Sequence, residues 1–183
     1  MYGRLPPLFA ILLLFSFATA IAAEPNPAAG AADPNPVAGA ADPGVKQPVV
    51  EFAGRVKRPT GFGLEQLRSL PAETVQVAFD TERGPQKSSF TGVRLWALLD
   101  QAGGIDDPEK GAEFHHIVRI TGRDGYVVVI STGEIAPEFG GKPALLAYQR
   151  DGAVQGETGF RLVMPGDKRG GRYVRDVVSI TVE

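Results

Sequence analysis

The part of the sequence best equipped for chemistry is a basic segment, residues 161–175. Its charged side chains are Arg161, Asp167, Lys168, Arg169, Arg172 and Arg175, five of them cationic. Guanidinium groups bind phosphate-like anions through paired hydrogen bonds, and Gly170–Gly171 allows successive backbone N–H groups to converge on the same anion. The segment therefore predicts a small-anion site. The structural alternative is a basic loop leading into an edge strand, where charge discourages aggregation.

The remaining polar groups indicate structure rather than catalysis. The chain has no cysteine, which excludes disulfides, cysteine-bound zinc, iron–sulfur centres and thiol nucleophiles. His115 and His116 are adjacent on a predicted strand, so their rings face opposite sides and do not share a metal. Asp106, Asp107 and Glu109 are typical of a solvated turn. The sequence therefore predicts no catalytic residue and no metal ligand.

Length and charge limit the class of protein. The 183 residues include 19 Lys and Arg against 21 Asp and Glu, a formal net charge of −2, and 43% of them are hydrophobic. A chain of this length forms one domain of ordinary size. The nearly neutral balance argues against nucleic acid as the partner, because binding to a phosphate backbone requires a basic surface.

Residues 1–23 predict an export signal. Arg4 supplies a short positive region, Leu8–Phe15 is an apolar run, and the small residues that end at Ala23 form a cleavage pattern. The alternative is an uncleaved membrane anchor, since Leu5–Ala23 is long enough to cross a bilayer as a helix. A single arginine, rather than a twin pair, indicates export of an unfolded chain. The expected location is periplasmic or secreted.

A low-complexity spacer follows at residues 24–46. It contains a nine-residue repeat, Pro25–Asp33 and Pro34–Asp42, whose copies differ at one position. Proline, alanine and glycine offer no large side chains to bury, so this composition does not offset the entropy cost of ordering. The segment predicts a semi-extended spacer, and the folded unit is then residues 47–183.

The folded unit alternates between strand and helix patterns. The predicted strands are Val49–Val56, Thr74–Phe79, His116–Thr121, Tyr126–Ser131 and Tyr173–Val182. Two Asp–Gly pairs predict tight turns, because glycine supplies the positive backbone angles of a hairpin. They are Asp124–Gly125 and Asp151–Gly152, the second after the apolar run Ala144–Tyr148.

Two short helices are predicted among these strands. Gly63–Leu70 has leucines at helical spacing, and Thr91 caps a second helix that ends at Gly103–Gly104. The second helix has an apolar stripe typical of a surface that faces the core. The stripe consists of Val93, Trp96, Leu98 and Leu99. Because strands and helices do not alternate strictly, the pattern indicates a single mixed domain of the α+β class.

Several short segments of the folded unit recur together, and in the same order, in one known family. They are Gly54–Val56 with Pro59, Leu64–Pro71, Phe90–Leu99, Asp124–Tyr126, Leu146–Tyr148 with Asp151–Gly152, Arg161–Asp167 and Gly171–Arg175. With these segments the chain resembles the sulfite-oxidase-like, molybdopterin-binding oxidoreductase domain, particularly its small bacterial versions. The segments span essentially the whole folded unit, so the resemblance concerns the domain and not one motif.

The resemblance implies a mixed α+β fold that holds a pterin by its phosphate and ring and presents molybdenum to an oxo-transfer substrate. The positions that match the family's pterin contacts are Arg161, Arg172, Tyr173, Val174 and Arg175. By this likeness Arg161 supplies a charged fork. Residues 172–175 supply backbone groups and further charge.

One position departs from the family. Active members ligate molybdenum with a cysteine that precedes the T-G-V-x-L motif, whereas here Asp80 or Thr81 lies near that position. Carboxylate and hydroxyl oxygens are harder ligands than thiolate and do not reproduce its redox tuning. We therefore expect a cofactor-free module that binds a small phosphate- or pterin-like anion or a periplasmic protein partner. A genuine molybdopterin-dependent oxidoreductase and a purely structural or interaction module are the alternatives.

Overall fold

The computed structural model describes residues 48–155 and 159–183, which form two five-stranded sheets and four short helices. The first sheet has the strand order β2-β1-β10-β5-β6. Its strands are β1 (Val49–Gly54), β2 (Thr60–Gly63), β5 (Ile117–Gly122), β6 (Val127–Ser131) and β10 (Val177–Val182). β1 and β10 pair in parallel, with Glu51 opposite Ser179, whereas the other pairs are antiparallel. This sheet is therefore mixed.

The second sheet is antiparallel and carries the basic segment's first arginine. Its strands are β3 (Ala72–Thr81), β4 (Gly84–Arg94), β7 (Leu145–Arg150), β8 (Ala153–Val154) and β9 (Arg161–Val163). The order is β3-β4-β7-β8, and β9 also pairs with β7. The registers place Arg150 opposite Phe90 and Arg161 opposite Ala147. β7 thus brings residues distant in sequence to one end of the sheet.

The helices are short and lie between strands in the chain. They are α1 (Leu64–Ser69), α2 (Leu95–Gln101), α3 (Ala112–His115) and α4 (Thr132–Ile135), with a 3-10 turn at Gly170–Arg172. In the part of the chain that the structure describes, none is long and apolar enough to span a membrane. The α+β class predicted from the sequence agrees with these helices and sheets. The predicted signal and spacer, residues 1–23 and 24–46, lie outside the described residues.

One hydrophobic core unites the two sheets and α2. Its fully buried side chains include Phe52 from the first sheet, Phe90 and Leu146 from the second, and Leu98 from α2. Burial of such side chains is the main favourable term in folding. Val93, Leu98 and Leu99 are buried as predicted, but Val93 lies on β4 rather than on the helix. Trp96 is partly exposed and packs at the edge of the core.

The predicted start of the second helix is wrong. Thr91 does not cap it, because β4 continues to Arg94 and α2 begins only at Leu95. Thr91 instead pairs with Thr74 on β3, and their hydroxyl oxygens are 2.8 Å apart. Strand pairing on both sides of β4 overrides the local capping signal. The predicted end of this helix is confirmed, because α2 ends at Gln101 and Gly103 and Gly104 follow it with φ of 85° and 81°.

The last predicted strand begins later than expected. Residues 170–172 form the 3-10 turn and β10 starts at Val177, after Asp176 adopts a φ of 46°. The two predicted hairpin turns are confirmed. Gly125 has a φ of 80°, and Asp151 and Gly152 have φ of 50° and 83°.

Candidate functional site

Two arginines stack over one buried aromatic ring in the second sheet. Phe90 on β4 is fully buried. The Cζ atom of Arg161 on β9 lies 5.7 Å from the centroid of its ring, and the Cζ atom of Arg150 on β7 lies 5.9 Å from the same centroid. A guanidinium at this distance from an aromatic face is held by the negative charge density of the ring. The ring of Phe90 thus holds two positively charged guanidinium groups close to each other.

The positive charge around Arg161 is only partly balanced by the described residues. Burial, together with the charges of Arg175 and Arg150, lowers the pKa of Arg161 to about 10, against smaller opposing effects of Asp176 and Tyr173. Arg161 makes no ion pair within residues 48–155 and 159–183. The Arg161 side chain is partly buried. Among the described residues it is thus a cation without an ion-pair partner, close to two other cations.

Arg150 is oriented by its own partners. Its Nε donates to Ser88 Oγ at 3.2 Å and lies 3.3 Å from Asp151 Oδ2. Asp151 in turn accepts a hydrogen bond from the backbone N–H of Ser89 at 2.7 Å. These contacts fix the guanidinium over Phe90 and offset part of its charge. Sequence reasoning missed Arg150, because only the pairing of β4 with β7 brings it to Arg161.

Arg172 belongs to a different cluster, which we call the Arg172 network: Arg172, Asp167, Lys142 and Glu134. Arg172 donates to both oxygens of Asp167, at 2.7 and 2.6 Å, and lies 3.1 Å from Glu134 Oε1. Lys142 Nζ lies 2.7 Å from Asp167 and 3.3 Å from Glu134. The hydrogen bond to Asp167 raises the pKa of Arg172 above its usual value. The charge that Arg172 was predicted to add to the anion site is thus already engaged by carboxylates.

Tyr173 and Val174 form the buried floor behind the basic segment. The Tyr173 ring stacks on Phe79 with centroids 4.2 Å apart, and its hydroxyl donates to the backbone oxygen of Met164 at 3.1 Å. Burial raises the pKa of Tyr173 to about 12. Val174 is fully buried and its backbone oxygen accepts from Leu162 N–H at 2.9 Å. These two residues position Arg175, whose side chain is exposed.

The glycine pair does not form the predicted anion nest. Such a nest requires alternating backbone hands, but neither Gly170 nor Gly171 has a positive φ, and both lie in the 3-10 turn. Gly170 instead allows close packing, since a Cβ there would lie 2.9 Å from the Phe79 ring. Tyr126 also donates its hydroxyl to the backbone oxygen of Gly171 at 2.6 Å.

The two adjacent histidines have different surroundings, and neither of them lies on a strand. His115 ends α3 and is exposed, whereas His116 is buried. The Nδ1 of His116 donates to the main-chain oxygen of Glu183 at 3.0 Å, and its Nε2 lies 2.9 Å from Asp107 Oδ2. The predicted solvated turn is wrong at Asp107, whose side chain is only 13% exposed. His116 and Asp107 pack together as a structural pair.

This fold is similar to that of the sulfane dehydrogenase SoxCD. The crystal structure of SoxCD from Paracoccus pantotrophus matches with a TM-score of 0.60 and 20% sequence identity, over 74% of this chain. The chain spans 38% of the length of the SoxCD chain it matches. No protein-family model and no curated protein matches the sequence. The likeness to SoxCD supports a distant sulfite-oxidase-like fold, as the resemblance of the sequence segments implies.

The residues that the sequence resemblance puts near a molybdenum ligand, Asp80 and Thr81, offer oxygen donors and no thiolate. Asp80 and Thr81 lie at the exposed end of β3. The Thr81 hydroxyl donates to Gly84 O at 2.8 Å, and Asp80 N–H donates to Lys168 O at 2.9 Å. Over the described ranges, no three His, Cys, Asp or Glu side chains gather as a metal site. A hard carboxylate or hydroxyl is the only donor type present at that position.

Proposed function

We propose that this protein is an exported module of the molybdopterin-oxidoreductase type that binds a small phosphate- or pterin-like anion without molybdenum redox chemistry. The observation that carries the proposal is the Arg161 site: Arg161, Arg150 and Arg175 around the ring of Phe90. Three positive charges meet there, and the central guanidinium has no carboxylate partner among the described residues. An oxyanion would remove this unfavourable concentration of charge.

The three arginines have different roles in binding the anion. Arg161 and Arg150 are held over Phe90 at 5.7 and 5.9 Å, so their planes are already oriented before an anion arrives. Preorganised donors bind more tightly because less side-chain entropy is lost. Arg175 is exposed and adds charge at the entrance. Tyr173, Val174 and Arg172 support the site from behind rather than contact the anion.

The test is thermal unfolding of the full chain with sulfate, inorganic phosphate and a pterin phosphate. An anion at 100 times its Kd stabilises the fold by about 2.7 kcal/mol, a shift of several degrees for a domain of this size. We expect Arg161→Met to abolish the shift. We also expect it to unfold at or above the wild-type temperature without anion, since it removes a poorly solvated charge beside two others.

The matched control is Arg83→Met, which removes an exposed arginine outside the site. It should retain the full anion shift. If Arg161→Met keeps the shift, or if none of the three anions moves the unfolding temperature of the wild-type protein, the Arg161 site is not an anion site.

A second candidate is a molybdopterin-dependent oxidoreductase, which the likeness of fold to a sulfane dehydrogenase favours. Elemental analysis separates the two candidates when the protein is exported by its own signal from a host that makes the cofactor. About one molybdenum per chain, with pterin fluorescence after oxidation, would establish this second candidate. Anion-dependent stabilisation without molybdenum would support the first.

A further inference from the structure

A cleft of about 380 Å³ lies beside α2, away from the Arg161 site. Its walls come from α2, from residues 104–112 and from residues 136–139. The apolar part of the lining includes Trp96, Leu99, Ile105 and Phe139. Volumes of this size hold small organic molecules, and apolar walls with a few polar groups are typical of their sites.

All charged groups that line this cleft are carboxylates. They are Asp100, Asp107, Glu109 and Glu138, and no lysine or arginine is among the lining residues. Two of them have histidine neighbours: Asp107 lies 2.9 Å from His116 and Glu109 lies 3.7 Å from His115. The other two, Asp100 and Glu138, make no ion pair with any residue in the described ranges. The cleft thus combines an apolar wall with two carboxylates that have no ion-pair partner in the described ranges.

Burial affects one of the unpaired carboxylates. Partial burial beside the apolar wall raises the pKa of Asp100. The nearby cation Arg55 acts on Asp107, whose pKa is lowered chiefly by a backbone hydrogen bond from Glu109 and by His116. A cation in the cleft would therefore be attracted mainly by Asp100 and Glu138.

Two exposed aromatic rings lie in contact at the cleft, one of them in its lining. Phe139 is 48% exposed and its ring centroid lies 4.0 Å from that of Phe114, which is 47% exposed. Trp96, on α2, also lines the cleft. The faces of aromatic rings attract ammonium groups. Large exposed aromatic groups next to carboxylates are the combination that recognises organic cations.

We propose that this cleft binds a small organic ammonium ion whose aromatic or aliphatic body lies against Trp96 and Phe139. The charge of the lining selects a cation over a neutral or anionic molecule of the same shape. The volume selects a small molecule over a folded partner. The proposal is independent of the Arg161 site, which attracts the opposite charge.

Trp96 makes the test direct, because it is the only tryptophan of the chain and lines the cleft. Its fluorescence is followed in the full chain during titration with phenethylamine up to about 10 mM, a range that includes weak binding. Phenethyl alcohol and 3-phenylpropionate serve as neutral and anionic analogues. We expect a saturable change with the amine, at least about tenfold weaker binding of the alcohol, and none of the anion.

The charge requirement is tested by the double variant Asp100→Asn/Glu138→Gln, for which we expect about a tenfold rise in the Kd of phenethylamine. The double variant Glu51→Gln/Glu82→Gln changes the net charge equally at exposed positions outside the cleft and should leave the Kd unchanged. Equal binding of amine and alcohol, or an equal rise of Kd in both variants, would overturn the proposal. So would binding of a lysine-rich peptide without binding of the amine.

Discussion

Arg172 holds Asp167 through two parallel hydrogen bonds, from Nε to Oδ2 at 2.7 Å and from Nη2 to Oδ1 at 2.6 Å. Lys142 and Glu134 extend this pair into a network of alternating charge. The basic segment therefore has two parts with different tasks. At one end Arg172 fixes the turn before β10, and at the other end Arg161 makes no ion pair within residues 48–155 and 159–183.

The first prediction concerns the Arg172 network. Asp167→Asn removes the charge that three hydrogen bonds from Arg172 and Lys142 engage. Loss of one partner of a mostly buried charged pair leaves the other uncompensated, so we expect the free energy of unfolding to fall by about 2 kcal/mol. Urea denaturation at neutral pH measures the change. Asp106→Asn, at an exposed position, should change it by no more than about 0.5 kcal/mol.

The Arg172 network also predicts how the stability of the fold changes at acidic pH. Burial alone would raise the pKa of Asp167, but the hydrogen bonds from Arg172 and Lys142 outweigh it and lower the pKa below its usual value. A carboxyl with a lowered pKa stabilises the fold above its unfolded pKa of about 3.9 and loses that contribution as pH falls further. The wild-type protein should therefore lose stability more steeply below about pH 4 than Asp167→Asn. Parallel curves would contradict this.

The second prediction concerns the pH range of anion binding at Arg161. Its pKa of about 10 means that the guanidinium is charged at neutral pH and loses its proton as pH rises through that value. Sulfate keeps its charge over this range. We expect its Kd, measured by calorimetry, to be constant from about pH 6 to 9 and to rise above about 10.

Arg161→Lys provides the control for that profile. Lysine has an ordinary pKa of about 10.4, and burial among cations lowers it. Sulfate binding to this variant should therefore be lost at a lower pH than in the wild-type protein. A profile that is identical in both proteins would show that another group controls binding.

The third prediction concerns close packing of β4 on β7. A Cβ at Gly92 would lie 2.5 Å from Ala147 Cα and would also overlap the backbone oxygen of Leu146. We expect Gly92→Ala to lower the free energy of unfolding by about 3 kcal/mol, because the two strands must separate. Gly171→Ala is the matched control, since its Cβ would meet open space. Similar stability of both variants would show that the bulge at Thr91–Gly92 accommodates a side chain.

Local patterns predicted much of the fold. The Asp–Gly turns, the β-branched strands and the glycine stop after α2 are set by residues close together in sequence, so their signals could be interpreted directly. The start of α2 could not be predicted, because β4 continues through Thr91 only when β3 and β7 pair with it. A cap signal and a strand signal overlap there, and tertiary pairing decides between them.

The candidate site was predictable only in part. Arg161 and Arg175 stand out as charges in one short segment, whereas Arg150 joins them through the pairing of β7 with β4. In the sequence, nothing distinguishes Arg172 from Arg161, since both are arginines of the same basic segment. Glu134 and Lys142, which complete its network, lie 38 and 30 residues earlier in the chain, and no local pattern links them to the basic segment.

The parallel pairing of β1 with β10 places the last strand in the middle of the first sheet, between β1 and β5. β1 and β5 are synthesised before β10. The strand edges that pair with Val177–Val182 are therefore unpaired until those residues have been made. Contacts between distant parts of a chain form late, because the entropy of a long loop must be lost first. The first sheet therefore cannot be completed until Val177–Val182 have been synthesised.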